Sequence, residues 1–282
     1  MKITKTFFTT ASVFLIVFSI SFFAFSKDTN AVIQILFDDQ LEKTEGIALC
    51  PNGRLFVAEN ASGKIYEIVD DETLKLFSEG FNHPAGMACD SGNRLYLVEF
   101  PAGNLKRISE DGSKSETIAS GLKQPNGVAA AADGTIYVSE SEAGRVTVIA
   151  PDGEKEILAE KIPYANGVLL ANGDTLLFVN SSLGNKTVVI STAGDDKGKK
   201  KTFASPLLAP DGITADNAGN FYVCVYGKGE IARIDEKGKV EIISSGLKGP
   251  ASPAFKNGAL YVTSVNGKGI YKITQPPTLQ KH

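Results

Sequence analysis

The sequence predicts an all-β fold, a six-bladed β-propeller of four-stranded antiparallel blades closed by an N-terminal strand that completes the last blade. Three observations predict it. The chain repeats with a period near 40 residues, each repeat reads as a meander of short strands, and one orphan strand precedes the first repeat while the last repeat lacks one.

The period is set by a dipeptide. Glu45-Gly46, Ala85-Gly86, Asn126-Gly127, Asn166-Gly167, Asp211-Gly212 and Ala251-Ser252 open the six repeats, with successive steps of 40, 41, 40, 45 and 40 residues. After each opening comes an apolar run, a tight turn and a second run that usually carries an aromatic. The turns are Asn52-Gly53, Gly92-Asn93, Asp133-Gly134, Gly173-Asp174, Gly219-Asn220 and Asn257-Gly258. Such pairs between apolar segments favour the positive φ that a hairpin needs, so the two runs are antiparallel neighbours. Third strands follow from Lys64, Asn104, Arg145, Thr187, Glu230 and Gly269, and fourth strands from Leu74, Glu116, Glu156, Lys201 and Val240. The sixth repeat ends after Ile273 without a fourth strand. Ala31 to Phe37 resembles the fourth strand around Val240 to Ile243, and its return to the last sheet closes the ring and removes exposed edges.

Residues 31–274 are consumed by the blades, as one domain, with 275–282 a short tail. Residues 1–26 stand apart. Lys2 and Lys5 precede an uncharged stretch from Thr6 to Ser26, with Ala24-Phe25-Ser26 resembling a small-x-small cleavage site. This reads as a secretory signal or an uncleaved membrane anchor, and either places the propeller outside the cytoplasm, periplasmic or secreted. A net charge of -3 gives no basic field for nucleic acid. The one basic run, from Lys197 to Lys201, is expected at a solvated hairpin tip. Cys50 and Cys89 fall one step apart in equivalent strands, so alternation points them to opposite faces, and with Cys224 they are expected to be buried free thiols.

The residue before the glycine is an oxygen donor in four of the six openings: Glu45, Asn126, Asn166 and Asp211. In a radial meander the start of each innermost strand and the loop after the second strand share one face, so these donors can converge over the channel mouth. Two carboxylates and two amide oxygens are hard ligands that suit Ca²⁺, with Mg²⁺, Mn²⁺ or Zn²⁺ as substitutes. Asn and Asp before Gly are also ordinary turn residues, but Glu45 is not, and four donors at one register exceed what turns require. Glu59, Glu99 and Glu140, in the loops after three second strands, are expected either to rim the same mouth as bases or hydroxyl-binding groups, or to be solvated acids. His83, Gln124 and Tyr164, two residues ahead of Ala85, Asn126 and Asn166, are candidates to line a substrate pocket.

With their following strand texts, these openings resemble the six-bladed propeller family of senescence marker protein, gluconolactonase and luciferin-regenerating enzyme, over nearly all of the chain after residue 30. The resemblance implies a divalent metal on the channel axis and hydrolysis of small-molecule lactones or related esters. It gives Glu45, Asn166 and Asp211 the metal roles, makes Asn126 an additional metal or substrate contact, and makes Asp211 the first candidate for general base. Two departures matter. Phe100-Pro101-Ala102 stands in blade two where no counterpart of the sugar-reading arginine and asparagine is found, so apolar esters fit as well as sugar lactones. His83 is the only histidine besides His282, which excludes a paired-histidine lactonase mechanism. A second expectation is a propeller binding module whose ion is structural or absent, since this fold hosts many functions.

Overall fold

The computed structural model describes residues 31–274. The leader and the C-terminal tail lie outside the described residues. Six four-stranded antiparallel sheets make the ring. From the channel outward, blade one is Thr44–Leu49, Leu55–Glu59, Lys64–Ile68 and Leu74–Glu79. Blade two is Pro84–Cys89, Leu95–Glu99, Asn104–Ile108 and Ser115–Ala119. Blade three is Pro125–Ala130, Ile136–Glu140, Arg145–Ile149 and Lys155–Ala159. Blade four is Ala165–Ala171, Leu176–Ser181, Lys186–Ser191 and Lys200–Ala204. Blade five is Pro210–Ala215, Phe221–Val225, Glu230–Ile234 and Val240–Ser244. Blade six takes Pro250–Lys256, Ala259–Ser264 and Ile270–Thr274 from the end of the chain and Val32–Leu36 from its start. The joining strand runs antiparallel, Val32 opposite Thr274 and Leu36 opposite Ile270.

Alternation puts apolar side chains on both faces of each blade, and the seams between blades bury them. Six clusters result, one per seam; Val146, Ile162, Leu177 and Ile190, for example, fill the seam between blades three and four. Each such side chain contributes up to about 1.5–3 kcal/mol on burial. Phe178, Phe203 and Phe221 pack edge-on or tilted at centroid distances of 4.4–5.1 Å in the next seam, where aromatic edges meet faces.

The innermost strands explain the repeated dipeptide. In all six blades the ladder slips across two residues: 45–46, 85–86, 126–127, 166–167, 211–212 and 251–252. A bulge leaves its extra residue unpaired and re-aims its side chain. The second residue must be small because the next blade's bulge lies against it. A Cβ on Gly127 would stand 2.6 Å from the Asn166 carbonyl oxygen, and one on Gly212 2.6 Å from that of Ala251.

The cysteine expectation is corrected. Cys50 and Cys89 form a disulfide with Cα atoms 5.1 Å apart, stapling blade one to blade two. Alternation misled because Cys50 follows the end of its strand at Leu49, where the turn releases it from the strand's two-sided pattern. Cys224 is a buried free thiol. The basic run is solvated: Lys197 pairs with Glu156 at 2.5 Å, Lys199 with Asp196 at 2.5 Å, and Lys200 and Lys201 enter the outermost strand of blade four exposed.

Candidate functional site

Glu45, Asn126, Asn166 and Asp211 line one cavity of about 350 Å³ at the channel mouth, together with Tyr164, Ser182, Leu183, Ala209, Tyr226 and Val265. An adjoining cavity of about 410 Å³ shares Glu45, Asn126 and Tyr164 and adds Asn60, His83, Phe100 and Pro101. Among the described residues no lysine or arginine lines either one. The donors' backbones are fixed from the second strands. Asn180 Nδ2 donates to the Asp211 carbonyl at 2.6 Å, Ser139 Oγ to that of Asn166 at 2.5 Å, and Thr263 Oγ1 to that of Glu45 at 2.6 Å.

Their side chains are left for something else. Asn166 Nδ2 donates to Ser182 Oγ at 3.1 Å. Glu45 is half-buried at the cavity wall, and the desolvation of its carboxyl pushes it up to about 7. Asp211 is driven well above the usual carboxylate range by burial first and then by the charge of Glu45, which the Asn166 amide offsets only in part. Two carboxylates that repel each other in a cavity that no lysine or arginine among the described residues lines are a deficit of positive charge. Among the described residues no three His, Cys, Asp or Glu side chains cluster, so the donor set is carboxylate plus amide oxygen. That chemistry fits a hard divalent cation and not a thiolate or imidazole site.

A ring of left-handed residues surrounds the donors. Two residues ahead of each bulge, Lys43, His83, Gln124, Tyr164, Ala209 and Gly249 all have positive φ, between 48° and 58°. Five of the six are not glycine, although non-glycine residues there cost on the order of 1–3 kcal/mol each. His83, Tyr164 and Ala209 face the cavities; Gln124 is half-buried and lines neither. Burial, Asp211 and Glu45 push the Tyr164 phenol up.

Glu59, Glu99 and Glu140 line neither cavity, and the expectation that they rim the mouth gives way to another role. Each accepts the backbone N–H just ahead of a left-handed residue: Glu42 N to Glu59 at 2.8 Å, Asn82 N to Glu99 at 2.9 Å, Lys123 N to Glu140 at 2.6 Å. Glu140 is fully buried and is also held by Arg145 and Thr147, while Glu99 takes Asn104 Nδ2 at 2.8 Å. In blade four the residue ahead of Tyr164 is Pro163, which has no N–H; Ser181 stands in the glutamate's place and donates to the Pro163 carbonyl at 2.8 Å.

Sequence reasoning stopped one residue short of another ring. The residues after the second strands, Asn60, Phe100, Ser182, Tyr226 and Val265, line the cavities in five blades. Aligning the repeats one position beyond the glutamates would have found them. A larger groove of about 570 Å³ between blades one and six holds Asp71 and Lys272, which pair with each other.

Solved structures share the architecture. A gluconolactonase from Xanthomonas campestris superposes with a TM-score of 0.76 at 20% identity, over 87% of this chain and 90% of that one. A catalytically inactive histidine-to-alanine variant of virginiamycin B lyase from Staphylococcus aureus, with quinupristin, gives 0.65 at 21% identity, over 83% and 81%. Luciferin-regenerating enzyme gives 0.73 at 15% identity, over 88% and 96%. At these identities the likeness is one of fold. No protein of curated function matches the sequence. The sequence matches the Virginiamycin B lyase family over residues 31–282, all six blades, and the chain belongs to that family.

Proposed function

We propose that the chain is a divalent-cation-dependent hydrolase of lactones or related esters, with Glu45, Asn126, Asn166 and Asp211 holding the cation. The observation that supports this best is the pair of half-buried, mutually repelling carboxylates, flanked by two amides, in a cavity that no basic side chain among the described residues lines. Ca²⁺ suits an all-oxygen set of this charge, with Mg²⁺, Mn²⁺ or Zn²⁺ as substitutes. When bound, the cation supplies Lewis-acid polarisation of an ester carbonyl and stabilisation of the charge that develops on it. The family resemblance makes Asp211, which lines the cavity, the first candidate to accept a proton from attacking water. Leu183, Tyr226 and Val265 offer an apolar wall for the rest of the substrate. The names of the gluconolactonase neighbours support lactones as the substrate class. A secreted or periplasmic setting, anchored or free, is consistent with the disulfide, since oxidising compartments keep such bonds.

The test is a melting experiment with and without Ca²⁺, followed by a lactone and ester panel read by proton release. Ligand at 100 times its Kd stabilises by about 2.7 kcal/mol. Glu45→Gln and Asp211→Asn are expected to lose the Ca²⁺ shift and turnover while keeping the far-ultraviolet spectrum of the wild type. A wild-type protein indifferent to every divalent cation sinks the reading. A Ca²⁺ response without turnover on any ester favours the binding module instead. The family name supports a second reading, ring opening by elimination. Mass spectrometry in H₂¹⁸O separates the two, because hydrolysis adds labelled water to the product and elimination adds none.

A further inference from the structure

His83 is the one histidine among the described residues, and it lines the second cavity with Glu45, Asn126 and Tyr164. Its ring is held by Asn60. Asn60 Nδ2 donates to the Pro84 carbonyl at 3.2 Å, which turns Asn60 Oδ1 toward His83 Nδ1 at 3.0 Å. A carbonyl accepts and never donates, so the Pro84 oxygen fixes the amide's orientation. The amide oxygen can then only accept from the ring. Nδ1 therefore carries the hydrogen, and the neutral imidazole keeps its lone pair on Nε2. The backbone is pinned on both sides, by Asn82 N to Glu99 at 2.9 Å and by Phe100 N to the His83 carbonyl at 3.3 Å. A histidine oriented by a side-chain acceptor at Nδ1, with Nε2 taking no hydrogen-bond partner among the described residues, is the arrangement that general-base catalysis uses.

We propose that His83 is the general base of the ester opening and that Asn60 is the positioning residue that fixes its tautomer. This rests on the hydrolytic reading above and moves the proton from Asp211 to His83. Binding a cation lowers a carboxylate's basicity, so in this assignment Asp211 holds the cation and His83 handles the proton. His83 Nε2 takes a proton from water as the water oxygen bonds to the acyl carbon. When the bond from that carbon to the alcohol oxygen breaks, the imidazolium returns the proton to the departing oxygen. Ester and water become acid and alcohol, a lactone becomes one hydroxy acid, and His83 ends neutral.

The repeat supplies variants that the fold accepts. Alanine occupies this left-handed position in blade five as Ala209 and glutamine in blade three as Gln124, so His83→Ala and His83→Gln keep a backbone already present in the ring. With phenyl acetate and the aromatic lactone dihydrocoumarin as probes, both variants are expected to lose about 10²–10⁴-fold in kcat while keeping the wild-type Ca²⁺ melting shift. Added imidazole, corrected for its own background rate, should restore part of the activity of His83→Ala. Asn60→Leu should lower kcat with little change in KM, and Asn60→Asp, which keeps the acceptor, should recover much of it. Independently of activity, ¹⁵N-histidine spectra should show His83 as the Nδ1–H tautomer in the wild type and not in Asn60→Leu, with His83→Gln identifying the signal. If His83→Ala turns over like the wild type, or the wild type shows the Nε2–H tautomer, this proposal falls and the hydrolase reading stands. If the wild type opens neither these probes nor any ester of the panel, the reading itself falls and this assignment with it.

Discussion

A hydrogen atom where other residues carry a methyl group is what lets the inner strands meet around the channel. A Cβ on Gly167 would lie 2.7 Å from Gly212 Cα, and closer still to the carbonyl oxygen of Asp211, so alanine there must push blade five away from blade four. Gly153 is the contrast: its φ of 90° is strained for alanine, but nothing lies within 4 Å of the added carbon. Gly153→Ala is expected to cost about 1–2 kcal/mol through backbone strain alone, and to leave the site untouched. Gly167→Ala is expected to cost about 1–3 kcal/mol or more through overpacking, and also to weaken the Ca²⁺ response, because the displaced backbone belongs to Asp211. Urea midpoints with an unchanged m-value, read beside Ca²⁺ melting shifts, distinguish the two. A Gly167→Ala protein with an intact Ca²⁺ response would show that the bulge does not aim Asp211. At this scale the donor-glycine pairs were legible because they repeat at a fixed interval. Glu59, Glu99 and Glu140 repeat as well, but sequence does not say whether a carboxylate faces a mouth or a backbone N–H, and the structure turns all three toward N–H groups.

Hairpins are the element on which each blade turns, and an aspartate organises several of them. Asp216 accepts from Ala218 N and Asn220 N at 2.9 Å each, from Asn220 Nδ2 at 2.8 Å and from the Tyr222 hydroxyl at 2.9 Å. Asp90 holds the equivalent turn in blade two through Gly92 N, Arg94 and, at 3.3 Å, Tyr96. Burial raises the Asp216 carboxyl, but the bonds from Asn220, Tyr222 and Ala218 outweigh it and hold the group below its ordinary 3.8. Burial and then the Asp216 bond push the Tyr222 phenol up to about 12. The signs differ. A depressed carboxyl contributes stability above 3.8 that is lost as pH falls through its folded value, whereas a raised phenol weakens the fold as pH climbs from 10 toward 12, because the unfolded chain ionises first. Asp216→Ala is expected to cost about 1.5–3 kcal/mol at neutral pH, with the difference from wild type shrinking below pH 3.8. The Tyr222 titration, followed by ultraviolet absorbance, should move down from about 12 toward 10 in that variant. A cost that persists unchanged in acid would mean that packing, not the carboxylate, holds the hairpin. The strands themselves were legible almost to the residue, since alternation and Gly-Asn or Asp-Gly turns act locally. The tyrosine anchor was not, because it joins residues across the hairpin that no spacing rule links to function.

Closure of the whole ring was legible from a strand missing at one end and present at the other, and the structure seats Val32–Leu36 on blade six. The seam is tied to the site as well: Thr263 of blade six holds the Glu45 carbonyl, and Ser264 N donates to Thr44 Oγ1 at 2.9 Å. The seam between blades one and two carries the ring's covalent staple, and this was the feature that alternation hid. Cys50 and Cys89 enclose a separation of 39 residues, for which loop-closure entropy gives a stabilisation of about 4 kcal/mol, with measured bridges usually near 2–4. Burial, and secondarily Asp211, push the remaining thiol, Cys224, well up, so it is a poor nucleophile in the native protein. A thiol reagent should therefore find no reactive cysteine in the native protein and one in denaturant without reductant. Reductant should raise the count in denaturant to three and lower the urea midpoint of the wild type. A Cys50→Ser, Cys89→Ser double variant should start at that lower midpoint and ignore reductant. Three reactive thiols in unreduced denaturant would break the staple and the compartment argument together. The ring would then depend on its apolar seams and its N-terminal strand, and the proposed cation site, whose four candidate ligands come from four separate blades, would tolerate less opening than the fold around it.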